Sequence, residues 1–205
     1  MANICYIIGA GDVTATNLIA DDKDYIICAD GGYKYKDLLG RECDMVVGDF
    51  DSLGKVPETD DKIVAPTEKD ETDMMLAVNL GLENGYRNFI ILGALGGQRN
   101  DHSVANIQLL HYITSKGARG TIYHGDEIFT AFSDGTLKLS AENEGYVSVF
   151  SLTNESRGVT IRNLKYTLED ATIYSYMPVG VSNEFLGKES RITVEEGSLL
   201  VVYKK

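Results

Sequence analysis

The sequence contains little positive charge: its 205 residues include 19 Lys and Arg against 31 Asp and Glu, which gives a formal net charge of −12. Binding to nucleic acid or to an anionic lipid surface without sequence preference depends on an excess of Lys and Arg. We therefore expect neither a nucleic acid nor a membrane as a partner. An acidic protein attracts cations instead, which are either metal ions or positively charged small molecules.

Cysteine, proline and long apolar segments are also scarce. The three cysteines (Cys5, Cys28 and Cys43) lack C-x-x-C spacing, so they predict reduced, buried thiols rather than a disulfide framework or a zinc ribbon. With three prolines there is no proline-rich linker. No run approaches the roughly 18 apolar residues that a membrane-spanning helix needs, and the amino terminus lacks the basic start of a signal peptide. The sequence therefore predicts a cytoplasmic protein.

Two different patterns divide the chain at residue 125. In residues 1–125, short apolar runs typical of strands buried on both faces of a parallel sheet alternate with amphipathic helical patterns. The apolar runs are residues 4–8, 25–29, 45–47, 62–65, 89–92 and 121–123. This alternation predicts an α/β fold, in which a mostly parallel sheet is flanked by helices.

Two helices are expected within this first region. The apolar stripe of the first helix has the spacing i, i+3, i+4, i+7, i+8 and ends at Gly85. The second helix is expected to begin with Asp101 as its N-cap and to end at Gly117. The apolar positions of the two helices are Met74, Ala77, Val78, Gly81 and Leu82 in the first and Val104, Ile107, Leu110 and Tyr112 in the second.

Residues 126–205 show short β-branched and aromatic segments separated by turn-forming residues. The segments 146–150, 159–162 and 199–203 are expected to be strands, and turns are expected at 133–135, 142–145, 154–158 and 195–197. This spacing predicts a small antiparallel β-sandwich domain. A domain of about 80 residues buries a limited core, so we expect it to need a packing partner.

Aspartates follow the apolar runs of the first region. Asp30, Asp49 and Asp51 come directly after predicted strands, and Asp70 and Asp73 stand before the first predicted helix, where they would share one face if the first turn includes both. Ligands of an open parallel sheet bind beyond the carboxyl ends of its strands. Carboxylates crowded at one edge repel one another, so a hard cation such as Mg²⁺, together with phosphates, would stabilise them.

The segment Gly48-Asp49-Phe50-Asp51-Ser52 places two carboxylates around one large apolar residue. If Phe50 packs inward, both carboxylates project the same way. The same D-x-D pattern occurs in metal-dependent glycosyltransferases and in dehalogenase-type phosphatases.

The rival enzyme classes fit less well. A dehalogenase-type phosphatase needs a late acidic motif, but the residues that follow Gly125-Asp126 are Glu-Ile-Phe-Thr. A dinucleotide-binding fingerprint is suggested by Gly9-Ala10-Gly11, yet Thr14 stands at its third glycine position. The sequence contains no Walker A motif, so P-loop chemistry is excluded.

Taken in order, the motifs resemble the bacterial thiamine pyrophosphokinases. The resemblance spans residues 29–185, most of the chain, and the ordered set is more specific than any single motif. The motifs are Ala29-Asp30-Gly31-Gly32, Gly48-Asp49-Phe50-Asp51-Ser52, Lys69-Asp70-Glu71-Thr72-Asp73, Gly93-Ala94-Leu95-Gly96-Gly97 followed by Asp101-His102, and Gly180-Val181-Ser182-Asn183-Glu184-Phe185. One departure is an extra residue, most simply Gln98, before Arg99 in the family's G-G-R-x-D-H motif.

The resemblance implies transfer of a pyrophosphoryl group from ATP to thiamine, with Mg²⁺ as the metal. It implies catalytic roles for Asp49, Asp51, Asp70, Asp73 and Arg99, metal ligation by Asp49, Asp51 and Asp73, and substrate binding by Asp30, Gly31, Gly32, Lys69, Asp101, Ser182 and Asn183. It also implies an ATP-binding catalytic domain (residues 1–125), a thiamine-binding and dimerisation domain (residues 126–205), and a homodimer whose chains share each site. A nucleotide or thiamine sensor that binds without turnover is the competing hypothesis.

Overall fold

A computed structural model describes residues 3–13, 17–50, 61–64 and 70–204. The chain packs as two compact units, one formed by Met1–Leu109 with Ile122–Gly125 and the other by Leu110–Thr121 with Asp126–Lys205. Residues 110–121 thus pack with the second unit, although they precede the predicted boundary at 125 in the chain. The division into functional domains at residues 1–125 and 126–205 stays a prediction.

The first unit contains the predicted parallel sheet. Four parallel pairings give the strand order β5-β1-β2-β3-β4, and residues 122–124 of β6 follow next to β5. The strands are β1 (Cys5–Ile8), β2 (Tyr25–Ala29), β3 (Met45–Gly48), β4 (Lys62–Val64), β5 (Asn88–Leu92) and β6 (Arg119–His124). Each predicted apolar run is confirmed as a strand to within about two residues at either end. Cys5 and Cys28 are buried thiols, as predicted, while Cys43 is half-buried.

Helix α1 (Asp73–Glu83) matches its predicted stripe. Thr72 is the N-cap, and its hydroxyl accepts a hydrogen bond from the Met75 N–H at 3.1 Å. Four of the five predicted apolar positions are buried, and Leu82 is half-buried. Gly81 is required on this face, because a Cβ added there would lie 2.6 Å from the ring of Phe89.

Helix α2 (Asn100–Ser115) confirms part of the predicted face, since Leu110 is buried and Ile107 and Tyr112 are half-buried. It begins one residue earlier than expected, so Asp101 lies in the first turn and is not the N-cap. Val104 is 59% exposed. The buried residues of the helix are Asn106, Leu109, Leu110, Ile113 and Thr114. The first of these is a polar residue, Asn106, whose side chain donates to the Ala94 carbonyl at 2.7 Å, and apolar periodicity does not detect such a position.

The second unit is the predicted antiparallel β domain. Strand β12 pairs with β7 along its length, with β9 through its first half and with β8 through its second half, so two layers share β7 and β12. Strand β10 pairs with β9 and extends the layer that contains it, and β11 pairs with β8 in the other layer. The strands are β7 (Glu127–Leu139), β8 (Tyr146–Ser151), β9 (Glu155–Arg162), β10 (Leu168–Tyr174), β11 (Asn183–Glu184) and β12 (Ser190–Lys204). Apolar side chains from both layers form one buried core.

The turns predicted at 133–135 and 195–197 are wrong, because β7 and β12 continue through both segments. Asp134 has φ 43° and Gly197 has φ 108°, and the register between the two strands shifts from Val194 to Ser198. The Gly197 N–H donates to the Asp134 carboxylate at 3.1 Å. The turn-forming residues therefore produce a β-bulge, which bends paired strands instead of reversing the chain.

The predicted turn at 154–158 is also too long, since β9 already begins at Glu155 and contains Gly158 with φ 63°.

No helix in the described part of the chain combines the length and the apolar character that crossing a bilayer requires.

Candidate active site

The carboxyl ends of the parallel strands meet in tightly packed loops. A Cβ added at Gly32, after β2, would lie 2.0 Å from the carbonyl oxygen of Ile8 at the end of β1. A Cβ added at Gly9 would lie 2.6 Å from the carbonyl oxygen of Gly93, which follows β5. Only glycine permits this contact of backbone with backbone, so the loops after β1, β2 and β5 form one continuous edge. We call this edge, together with the end of β3, the carboxyl edge.

Asp30 and Asp49 are adjacent at the carboxyl edge. Asp30 begins a 3-10 helix (Asp30–Tyr35) with φ 44°, and Asp49 directly follows β3. A Cβ added at Gly48 would lie 3.1 Å from the Cα of Asp30, so the two strand ends touch. Phe50 is only 2% exposed, as the expected inward packing of this residue requires. Asp51 lies outside the described residues.

The amino terminus of α1 reaches the same edge. Asp73 is the first residue of the helix. The next residue, Met74, packs on Gly9: a Cβ added at Gly9 would lie 2.8 Å from the Met74 sulfur. Asp70 is exposed and precedes the Thr72 cap, so the expected helix face shared by Asp70 and Asp73 is wrong. The helix cannot extend back to Asp70 because Thr72 takes the N-cap position with a non-helical ψ of 157°. Lys69 lies outside the described residues.

Asp12 is a residue of this edge that the sequence analysis missed. The loop after β1 binds the loop after β5 through three hydrogen bonds: Gly11 N–H to the Gly93 carbonyl (2.9 Å), Asp12 N–H to the Leu95 carbonyl (3.0 Å), and Gly97 N–H to the Asp12 carboxylate (3.0 Å). The Asp12 side chain therefore holds the loop that leads to the predicted Arg99. The available signal is the position of Asp12, which directly follows Gly9-Ala10-Gly11 in the loop after β1.

Arg99 and Asp101 form an ion pair with each other. The Nε–Oδ1 and Nη2–Oδ2 distances are 2.9 and 2.6 Å, and the two side chains are 67% and 63% exposed. The hydrogen bond from Arg99 lowers the pKa of Asp101 to about 2. Because an exposed pair contributes little stability, Arg99 can exchange this carboxylate for a ligand oxygen at small cost.

Ser182 and Asn183 belong to the second unit; the Asn183 side chain is buried and hydrogen-bonded, whereas Ser182 is exposed. Asn183 is 7% exposed; its carbonyl oxygen accepts from the N–H groups of Tyr166 and Glu184, both at 2.9 Å, and its amide donates to the Tyr166 carbonyl at 2.7 Å. The Asn183 side chain therefore holds β11 against the segment before β10. Ser182 is exposed with φ 60°, and its N–H donates to the hydroxyl of Ser148 at 3.2 Å.

A complete set of metal ligands is not found among the described residues. In the ranges 3–13, 17–50, 61–64 and 70–204, no group of three or more His, Cys, Asp or Glu side chains is arranged to hold an ion. The predicted ligand Asp51 lies outside these ranges. Asp49 and Asp73 carry carboxylate oxygens, which are the donors that Mg²⁺ prefers.

Comparison with known proteins identifies two family models along the chain. The model for the catalytic domain of thiamin pyrophosphokinase matches residues 16–122, and the model for its vitamin B1 binding domain matches residues 136–200. A thiamine pyrophosphokinase of Bacillus subtilis (strain 168) is 27% identical over 162 residues, which are 76% of this chain and 75% of the relative.

Solved structures show the same fold over nearly the whole chain. The thiamine pyrophosphokinase from Bacillus subtilis superimposes with a TM-score of 0.83 at 24% identity and 99% coverage of both chains. The enzyme from Geobacillus thermodenitrificans gives 0.78 at 24% identity, covering 98% of this chain and 97% of its own. The enzyme from Candida albicans gives 0.71 at 18% identity, covering 100% and 90%. The α/β unit and the β-rich unit therefore follow a known arrangement of elements.

Proposed function

Because this chain belongs to the thiamin pyrophosphokinase family, we propose that its carboxyl edge is the site at which ATP donates a pyrophosphoryl group to thiamine. The products of this reaction are thiamine diphosphate and AMP. One observation carries the proposal: Asp30, Asp49 and the amino terminus of α1 with Asp73 come together where glycines bring the ends of β1, β2, β3 and β5 into contact. A phosphorylated ligand with its metal fits the chemistry of such an edge.

Positioning and charge neutralisation are the main tasks of this site. The thiamine hydroxyl attacks the β-phosphorus of ATP, and negative charge spreads over the phosphate oxygens in the transition state. Asp49, Asp51 and Asp73 would hold Mg²⁺, which when bound neutralises the charge on the phosphates. Asp49 directly follows β3 and Asp73 is the first residue of α1, so each carboxylate stands next to or at the end of a regular element.

The remaining predicted residues of the first unit have supporting roles in this proposal. Asp70 either binds the metal through water or accepts the hydroxyl proton, and a loose transition state needs no strong base. Arg99 and Lys69 contribute positive charge to the transferring or leaving phosphate. Asp30, Gly31 and Gly32 line the nucleotide, and the packing of Gly32 on the Ile8 carbonyl holds this segment at the carboxyl edge. Asp101 keeps Arg99 oriented until the phosphates arrive.

We propose that the second unit binds thiamine and forms a homodimer in which each site is shared between two chains. The acidic site attracts the thiazolium cation, and the hydroxyl of Ser182 is exposed for a hydrogen bond. Asn183 would then act through its backbone and by holding Ser182 in place, since its side chain is used internally. Exposed apolar side chains of this unit support an interface, and they are Tyr146, Tyr166, Leu168, Tyr176, Met177, Val179, Val181 and Leu186.

The activity is tested by measuring AMP release with ATP, Mg²⁺ and thiamine, against the same mixture without thiamine. We expect AMP and thiamine diphosphate in equal amounts, formed only when thiamine is present. Formation of ADP or free phosphate without AMP would contradict the proposal. Saturable calorimetric binding of ATP or thiamine with no AMP would instead identify a sensor.

The shared site is tested by mixing two inactive variants, Asp49→Asn and Ser182→Ala. Random exchange between obligate dimers would restore about a quarter of wild-type activity, because half of the dimers are mixed and each has one intact site. A sedimentation measurement that gives a monomer, or proven exchange without recovery, would place the whole site in one chain. The cytoplasmic location expected from the sequence also remains a proposal, which cell fractionation tests.

A further inference from the structure

Two basic side chains lie beyond the carboxyl ends of β2 and β5, the strands on either side of β1, and they have different hydrogen-bond partners. Arg99, after β5, is bound to the Asp101 carboxylate through two nitrogens. Lys34, after β2, donates to the backbone carbonyl of Ala10 at 3.3 Å. No ion pair that joins Lys34 to a carboxylate occurs among the described residues, although this edge is rich in aspartate. The Lys34 ammonium thus lies at the carboxyl edge on a neutral backbone carbonyl.

The surroundings of Lys34 hold its ammonium at the carboxyl edge. The residue lies in the 3-10 helix that begins at Asp30, and the close contact of Gly32 with the Ile8 carbonyl presses this helix onto the end of β1. The ammonium lies 4.7 Å from the centre of the Tyr35 ring, which adds a cation–π attraction. Its other partner, Ala10, belongs to the loop between Gly9 and Gly11 that contacts the loop after β5.

We propose that Lys34 is a further ATP-binding residue, which donates hydrogen bonds to the polyphosphate chain. An ammonium has three donors, and the Ala10 carbonyl takes one of them, so two remain for phosphate oxygens. A triphosphate that enters an edge lined by Asp30 and Asp49 needs positive charge from the protein as well as from a metal. This inference rests on the proposed function, because it assigns Lys34 to the polyphosphate chain of the proposed substrate ATP.

The test compares Lys34→Met and Lys34→Arg with the matched control Lys36→Met. Lys36 lies two residues further on, and its ammonium is paired with Glu42 at 2.5 Å, so this variant removes a nearby charge away from the edge. We expect the KM for ATP to rise about tenfold in Lys34→Met, as for an exposed charge-assisted hydrogen bond, while the KM for thiamine changes less than about twofold. Lys34→Arg should recover most of the ATP affinity, and Lys36→Met should resemble the wild type.

Direct binding separates this inference from the proposed function. Calorimetry with α,β-methylene-ATP, tripolyphosphate and adenosine needs no turnover. Lys34→Met should weaken binding of the first two about tenfold and leave adenosine unchanged. Equal affinity of wild type and Lys34→Met for tripolyphosphate, or no binding of it to the wild type, would overturn the role of Lys34 even if AMP is formed. If Lys34→Met binds tripolyphosphate more weakly and the wild type forms no AMP, the phosphate-binding role of Lys34 would stand and the proposed reaction would be wrong.

Discussion

The two edges of the parallel sheet both carry aspartates, but they use them in opposite ways. At the amino edge, Asp24 accepts the Ile4 N–H and Asp44 accepts the Ile26 N–H, both at 2.8 Å. Arg41 pairs with Asp44 at 2.7 Å and donates to the Asp24 carbonyl at 2.7 Å. These carboxylates therefore complete the starts of β1 and β2, and Arg41 compensates the charge of Asp44.

At the carboxyl edge the strands present carbonyl groups, which cannot donate to a carboxylate. Asp30 and Asp49 stand there among close-packed glycines, where the proposed nucleotide and its metal would bind. The comparison teaches that aspartates before a parallel strand can cap its free N–H groups, whereas aspartates after a strand reach only the loops and any ligand beyond them, as Asp12 reaches the Gly97 N–H. Four predictions test this difference, from the largest expected effect to the smallest.

Asp49→Asn removes one charge from the carboxyl edge and keeps the side-chain shape. We expect kcat to fall about 100-fold or more, as when a preorganised electrostatic contact is lost. Because repulsion between carboxylates is relieved, the free energy of unfolding without metal should stay equal or rise. The measurements are AMP release across a Mg²⁺ titration and urea unfolding. Wild-type turnover at limiting Mg²⁺ would remove Asp49 from the metal site.

Gly32→Ala tests the close contact at the carboxyl edge. Its Cβ would lie 2.0 Å from the Ile8 carbonyl oxygen, so the backbone must shift at a cost of about 3 kcal/mol in the free energy of unfolding. Gly135→Ala is the control in the β-rich unit, since the nearest atom to its Cβ is the Ser133 oxygen at 3.5 Å. We expect the control to change stability by less than about 0.5 kcal/mol. Similar values for the two variants in chemical denaturation would contradict the close packing.

Asp44→Ala tests the amino edge. It removes the acceptor of the Ile26 N–H and the partner of Arg41, so we expect a loss of about 1–2 kcal/mol in the free energy of unfolding, with the KM for ATP unchanged. Glu42→Gln is the matched control, because it breaks only the exposed pair with Lys36 and should cost less than about 0.5 kcal/mol. A change in KM without a change in stability would reverse the assignment of the two edges.

The smallest expected effect is a change in the pKa of Asp101 when Arg99 is replaced. Arg99 holds this pKa at about 2, below the ordinary value of about 3.9. A lowered folded-state pKa stabilises the fold above the unfolded value, and this contribution disappears as the pH falls through about 2. In Arg99→Gln, NMR titration of the Asp101 carboxyl should give a midpoint near the ordinary value. A midpoint that does not move would show that the pair does not form in solution.

Sequence by itself determined the features that depend on local patterns. The apolar runs gave the five parallel strands, the apolar stripe that ends at Gly85 gave α1, and the strand-end aspartates with Phe50 indicated the candidate site. These signals are local because strand burial, helix amphipathicity and capping involve residues close together in the chain. The ordered motifs added the family, which the matches over residues 16–122 and 136–200 bear out.

Only the tertiary structure decided features that depend on partners distant in the chain. The turn residues at Asp134 and Gly197 become a bulge because β7 pairs with β12, about 60 residues later. Asp12 acts on Gly97, 85 positions away, and Asn183 on Tyr166, 17 positions away. A side chain's own sequence neighbourhood does not record which backbone groups it will meet. Whether a carboxylate or an amide completes the fold or is left for a ligand is therefore decided by long-range packing.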